Sequence, residues 1–418
     1  MTRPRAVVVV TGSELVRGDR TDLNGPFLAR EVLELGLEPA RIEIVGDAEE
    51  ELADALRTGL RADLVITSGG LGPTHDDRTV ELLARVTGRE LRVDTTLQEQ
   101  IGAVSRAVAG RLRRPYADFE PGVDKQASLP DGGAAIGLAG TAPGIVLEHE
   151  GTVVVVLPGP PGELQRLWRL ALESEPVRRL LARARPPGRR TLRFYGASES
   201  AVARALAEAG GERPGVETTI CARDFEIHVD LVVDPGAEAE AERLEQELVA
   251  PLADWLFARD ERPIEAHVLE LCRARGYTLA TAESCTGGLV AERITRVPGA
   301  SAVFLGGIVA YADRVKEQEL GVTREVLDEH GAVSAETAVA MAAGVRARLG
   351  ADVGIGVTGI AGPDGGTPEK PVGLVYVAAS TPERSRTVDF GYPADRDAVR
   401  SRAAVAALHL VRRLLTQS

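Results

Sequence analysis

Short apolar runs alternate along the chain with stretches whose apolar positions recur every third or fourth residue, the pattern of buried strands separated by amphipathic helices. The run AVVVVT (6–11) predicts a first strand, followed by the turn TGSE (11–14). Asn24 and Pro26 open a helix that Gly36 ends. Strands over 41–45 and 63–67 flank a helix over 49–60, and a glycine-rich loop leads into a helix near 77–86. A buried run at 153–157 precedes a proline- and glycine-rich loop and a helix carrying Trp168. Strands separated by helices predict a mostly parallel sheet covered on both faces.

The alternation breaks in a basic, proline-containing stretch at 182–188. Beyond it a strand (191–195), a helix (198–209), two strands (217–221 and 226–233) and a helix (237–255) predict a small α+β connector without a constellation of catalytic side chains. A second α/β block opens near Pro263 with a helix (264–275), a strand (278–282) and the turn ESCTGG (283–288) into another helix. An apolar run (302–311), a helix (334–349), strands at 352–357 and 373–379, and a last helix from Ala394 to the C-terminus complete it. The expected domains are therefore 1–182 (α/β), 189–259 (α+β) and 262–418 (α/β).

With 44% hydrophobic and 27% charged residues, the composition is that of a folded chain. No apolar run approaches the ~18 residues a membrane span needs, and MTRPRAVVVV lacks a signal-peptide core and cleavage pattern. The expected location is the cytoplasm, with no membrane partner. A net charge of −13 and only 4% aromatics argue against direct nucleic-acid binding. Cys221, Cys272 and Cys285 form no close-spaced metal or redox pair. Lysine stands only at 125, 316 and 370, every other basic residue being arginine. Lysine can give up its proton and arginine cannot, so these positions are candidates for base chemistry.

Two groups of residues are candidates for chemistry. SGGLGPTHDD (68–77) lies where a strand ends and a helix begins, with Gly69 and Gly70 allowing backbone N–H groups to approach a phosphate. Asp76 and Asp77 offer hard oxygens to a divalent cation, or cap the helix. LPGPPGE (157–163), TGSE (11–14) and the Asp22–Asn24 turn fall at the same carboxyl ends of strands, where open α/β sheets bind ligands. In the last block, Ser284 precedes Thr286 and Gly287 at a helix start, and TGIAGPD (358–364), with Thr358 and Gly359, offers backbone donors to an oxyanion or phosphate. Ser301, Tyr311 and Lys316 form a second cluster. His267, His330 and His409 fall on predicted helices or their ends, where surface roles are expected, so a lysine is the available base for a serine. Two assignments stay open. Ser301, across one predicted strand from Lys316, attacks while Ser284 holds substrate, or Ser284 attacks.

TAESCTGG (281–288), YADRVKEQELGV (311–322), HGAVSAETA (330–338), TGIAGPDGGTPEKPVG (358–373) and DRDAVR (395–400) together resemble the C-terminal domain of the CinA family. SGGLGPTHDD, GTAPG (140–144) and LPGPPGE resemble that family's N-terminal domain, which is similar to molybdopterin-binding domains. The N-terminal motifs depart from the family pattern at TGSE, at Gly122 to Asp124 and at Gly137 to Ala139. The resemblance implies a cytoplasmic homodimer with two activities. One is hydrolysis of nicotinamide mononucleotide to nicotinate mononucleotide and ammonia, with Ser284, Ser301, Tyr311, Lys316, Thr358 and Arg400 in the pocket and no cofactor. The other is hydrolysis of ADP-ribose with a divalent metal (Mg, Mn or Co), to which Asp22, Asn24, Asp76 and Asp77 correspond. The competing reading is a non-catalytic ligand- or partner-binding protein with an accessory role in competence or DNA damage.

Overall fold

The computed structural model describes residues 3–416, so the last two positions expected in the C-terminal helix lie outside the described residues. The chain forms two compact units, one over 3–188 with 233–238 and one over 189–232 with 239–416. The module expected over 189–259 thus folds mostly into one unit with the C-terminal block.

The first unit is built on a six-stranded sheet of β1 (Arg5–Thr11), β2 (Glu38–Val45), β3 (Leu64–Ser68), β6 (Ala134–Ala139), β7 (Ala142–His149) and β8 (Thr152–Leu157), in the order β2-β1-β3-β8-β7-β6. A separate ladder joins β4 (Leu91–Val93) to β5 (Ser128–Pro130). The strands β2-β1-β3-β8 pair in parallel, as expected. Alternate residues of β1 serve opposite cores. Val7 and Val9 pack with Leu52, Leu56, Leu82 and Ile101, while Val8 and Val10 pack with Leu28, Val32 and Trp168. That two-sided burial is why β1 reads as an unbroken valine run. The sheet is not parallel throughout, because β6 and β7 form an antiparallel hairpin on its edge. The hairpin turns at Gly140 and Thr141, with Gly140 at φ 63°.

The second unit holds two sheets. One, in the order β10-β11-β9-β12, comprises β9 (Gly188–Phe194), β10 (Val216–Arg223), β11 (Glu226–Val233) and β12 (Leu256–Ala258). The other, in the order β14-β13-β15-β16-β17, comprises β13 (Leu279–Glu283), β14 (Phe304–Val309), β15 (Val353–Gly359), β16 (Leu374–Ser380) and β17 (Ser385–Gly391). Here β14, β13 and β15 run parallel, and β16 and β17 are antiparallel. The helix Ala335–Leu349 lies tight on β15: a Cβ at Gly354 or Gly356 would stand 2.0 or 2.1 Å from the carbonyls of Ala342 or Ala338. The C-terminal helix Arg396–Thr416 buries Ala403, Ala407, Leu408 and Val411 against the other face.

His409 on that helix corrects the expectation of a surface histidine, for it is fully buried. Its Nε2 donates to Glu226 Oε1 at 2.8 Å, its ring stacks on Tyr195 at 3.6 Å between centroids, and Glu226 also binds His228 and Arg193. Burial alone would raise Glu226, but hydrogen bonds from His228 and His409 and the charge of Arg193 hold it at about 2. Burial pushes His409 down to about 4, against the pull of Glu226. Both groups bind protons more readily in the unfolded chain, at their ordinary 4.5 and 6.5. Stability should therefore fall with pH through His409 between about 6.5 and 4, then through Glu226 between about 4.5 and 2. The thermal midpoint of this unit should be lower at pH 4.5 than at pH 7, and His409→Asn, which removes the titrating ring, should narrow the gap. Equal midpoints would contradict this coupling.

Candidate functional sites

In the first unit the loops after β1, β3 and β8 meet at the carboxyl edge of the sheet. Gly69 (φ 107°) and Gly70 (φ 67°) are required there, since a Cβ would lie 2.6 Å from Thr11 O or 2.2 Å from Thr79 Oγ1. Asn24 is buried and ties the loops together, its Nδ2 donating to Ser68 Oγ at 2.9 Å and Gly159 O at 2.7 Å. A cleft of about 450 Å³ is lined by Gly69, Gly70, Asp47, Asp76, Asp77 and Glu163. Asp77 Oδ2 accepts the Thr74 amide at 3.0 Å, and the Thr74 hydroxyl bonded to Asp76 holds that carboxyl below its ordinary range. Burial raises Glu163.

Asp22 stands apart from this pair. It caps the helix Asn24–Glu34, accepting the amides of Asn24 (2.8 Å) and Gly25 (3.1 Å), and lines a neighbouring cleft of about 590 Å³. Among the described residues no three His, Cys, Asp or Glu side chains converge as a metal cage. The three carboxylates grouped from sequence are thus divided between two clefts. What remains is a set of hard oxygens suited to a cation held by one or two carboxylates and completed by a ligand's phosphates. Sequence reasoning passed over Asp47, whose carboxylate accepts the Ser13 amide (3.0 Å) and hydroxyl (2.6 Å), and Gln126, buried with Nε2 on Leu71 O. The Gly-Asp after β2 was the available signal for Asp47.

In the second unit the site forms where β14, β13 and β15 end side by side. Ser284 follows β13 and donates its amide to Val357 O on β15 at 2.9 Å, while Ala310 after β14 donates to Glu283 O at 2.8 Å. Ser284 is thereby bracketed by Tyr311 on one side and Thr358 on the other. Lys316 is 1% exposed, and its Nζ donates to Tyr311 O at 3.3 Å and Asp313 Oδ1 at 3.2 Å. Thr358, also buried, donates its hydroxyl to Ala332 O, and at Gly359 a Cβ would stand 2.8 Å from Leu374 O. Arg400 donates to Thr286 O at 2.9 Å, and its guanidinium lies 3.8 Å from where a Cβ on Gly287 would be. Cys285 is buried and its thiol is pushed up to about 12, so it is no thiolate beside Ser284.

Two expectations change here. Ser301 does not meet Lys316 within one chain. It is exposed before β14, whereas Lys316 follows that strand, and six residues at ~3.3 Å each put them about 20 Å apart along it. The helix start after Ser284 is also occupied, because the Glu283 carboxylate accepts the amides of Gly288, Val290 and Ala291 at 2.9–3.0 Å. A phosphate near Thr286 and Gly287 would instead face Arg400.

Comparison with known proteins gives the family. Residues 7–178 match the probable molybdopterin binding domain, and residues 261–415 match the CinA C-terminal domain. The chain is 40% identical to the CinA-like protein of Mycolicibacterium paratuberculosis over 99% of both chains. The chain belongs to the CinA family. The CinA-like protein of Mycobacterium tuberculosis is likewise 40% identical, covering 99% of this chain and 97% of its own. A solved competence/damage inducible protein from Agrobacterium tumefaciens is 38% identical, covering 37% of this chain and 94% of its own, with a TM-score of 0.36. CinA from Thermoplasma acidophilum, described as of unknown function, is 33% identical over 42% of this chain and 98% of its own, with a TM-score of 0.37.

Within the CinA C-terminal match, Arg396 is a site residue that sequence reasoning overlooked although DRDAVR contains it. It donates to Tyr311 Oη at 3.0 Å and to Gly362 O at 2.7 Å, fixing the exposed tyrosine against the 358–366 loop. Lys370 donates to His330 O and Val333 O, so its part is to hold a loop. Among the described residues no helix is long and apolar enough to cross a membrane.

Proposed function

We propose that the CinA C-terminal unit hydrolyses the carboxamide of nicotinamide mononucleotide, giving nicotinate mononucleotide and ammonia. The observation that carries this reading is the buried Lys316 set beside Tyr311, at the strand ends that also hold Ser284 and Thr358. Hydrolysis of an amide needs an attacking oxygen, a proton acceptor and donors for the oxyanion. Ser284 Oγ attacks the carboxamide carbon and passes its proton to the Lys316 amine, which returns it to the departing ammonia. Water then hydrolyses the ester and releases the serine. The loop after Thr358 supplies donors, and Arg400 takes the phosphate. Ser284 is preferred over Ser301 because it shares the strand ends with Lys316.

This assignment is checked by ammonia release from the purified chain and its variants. Ser284→Ala should lose ~10²-fold or more, and Ser301→Ala should lose much less. The reverse order would give the attack to Ser301, reaching Lys316 from a second copy in a homodimer.

The molybdopterin-binding-like unit supports a second reaction, hydrolysis of ADP-ribose to AMP and ribose 5-phosphate. Asp76 and Asp77 would hold a divalent cation, Mg, Mn or Co, which would neutralise the pyrophosphate. Glu163, with its carboxyl raised, accepts the proton of the attacking water. A purely ligand-binding role in competence or DNA damage has no particular structural feature in its favour.

A further inference from the structure

A cleft of about 600 Å³ lies in the second unit, away from the strand ends just described. Its floor is one face of the C-terminal helix, where Arg402, Ala406, Leu410 and Arg413 recur at helical spacing. Tyr195, Phe225 and Phe390 supply aromatic walls. The two arginines stand at its ends, eleven positions or ~16 Å of helix apart.

Their surroundings are aromatic. Many guanidiniums along this acidic chain face a carboxylate, as Arg78 and Arg193 do. Among the described residues, Arg402 and Arg413 have no hydrogen-bond or ion-pair partner and make only ring contacts. Arg402 lies over Phe390 and Tyr392 at 4.9 and 4.5 Å, and Arg413 over Tyr195 at 5.5 Å. Stacking leaves the guanidinium edge, with its fork of donors, open to a planar or anionic group. Arg413 also borders Gly196, and Ser198 on the same lining caps the ten-residue helix Glu199–Glu208. The acids on the lining divide the cleft. Glu226 is saturated by Arg193, His228 and His409, whereas Glu199 and Asp389 are exposed. Those exposed acids repel an anion spread across the mouth and favour one placed at Arg413 with an uncharged ring inside.

We propose that this cleft is a second small-molecule site, taking a planar aromatic ring that carries one phosphate, the chemistry of a nucleoside monophosphate. The phosphate binds Arg413 at the helix start, and the ring lies between Phe225 and Phe390 with its acceptor nitrogens toward Arg402. A volume of about 600 Å³ suits a ligand of that size.

Trp255 gives the site its own readout. It is partly exposed and its ring stands 3.3 Å from where a Cβ on Gly196 would be, whereas Trp168 is fully buried in the other unit. Iodide quenching of the full chain therefore reports on Trp255, independently of AMP bound at any ADP-ribose site. AMP should protect Trp255 saturably, with inorganic phosphate at least about tenfold weaker. Arg413→Glu, and Arg413→Gln with its uncharged head, should each weaken AMP about tenfold or more at an unchanged thermal midpoint. No protection by AMP up to ~5 mM, equal protection by phosphate, or unchanged affinity in folded Arg413 variants would overturn the proposal.

Discussion

Replacing Lys316 by arginine should keep the second unit folded and lower nicotinamide mononucleotide deamidation by ~10²-fold or more, the loss expected when a general base is removed. The side chain is enclosed, with its amine on Tyr311 O and Asp313, so position and charge can be retained while the ability to release a proton is lost. Arginine is larger, and its thermal midpoint has to be measured beside its activity. Lys316→Met, which fills a similar volume without charge, separates crowding from chemistry and should be as inactive. Turnover near that of the parent in folded Lys316→Arg would reduce the lysine to an electrostatic anchor. This substitution is more telling than one at Tyr311, whose exposed ring is held by Arg396 and is placed to border the substrate rather than move its proton.

The second large effect concerns Asp77. Asp77→Asn should cut ADP-ribose hydrolysis by ~10²-fold or more while deamidation stays near that of the parent, since a metal's stabilisation of phosphate charge amounts to several kcal/mol. Asparagine is preferred to alanine because Asp77 also accepts the Thr74 amide, and the amide oxygen of asparagine preserves that bond. Excess metal should restore part of the lost rate if the cation is held by few protein ligands. Parallel loss of both activities in a folded Asp77→Asn chain would contradict two separate sites.

Much of this was legible in the pattern of residues. The valine runs of β1 and β8 announced strands buried on both faces, and the glycines at 69 and 70 announced a close backbone approach. The β6–β7 hairpin was not foreseen because Gly140 and Thr141, its turn, lie inside GTAPG, which entered only as a segment resembling the family's N-terminal domain. His409 was misplaced because histidines on helices were assigned to surfaces. Its neighbours AALHLV are apolar on every side, which marks a buried segment. Ser301 was paired with Lys316 on sequence proximity, yet a strand between two residues separates them by its whole length. Residues brought together by parallel strands are those that follow each strand, which is why Ser284, Tyr311 and Thr358 converge.

The central claim is deamidation at the strand ends of the second unit. The most direct measurement is ammonia release by the purified full chain with nicotinamide mononucleotide, run with and without a metal chelator. The account predicts one ammonia for each nicotinate mononucleotide formed, at a rate the chelator leaves unchanged. Absence of ammonia from folded chain, with or without added metal, would contradict it.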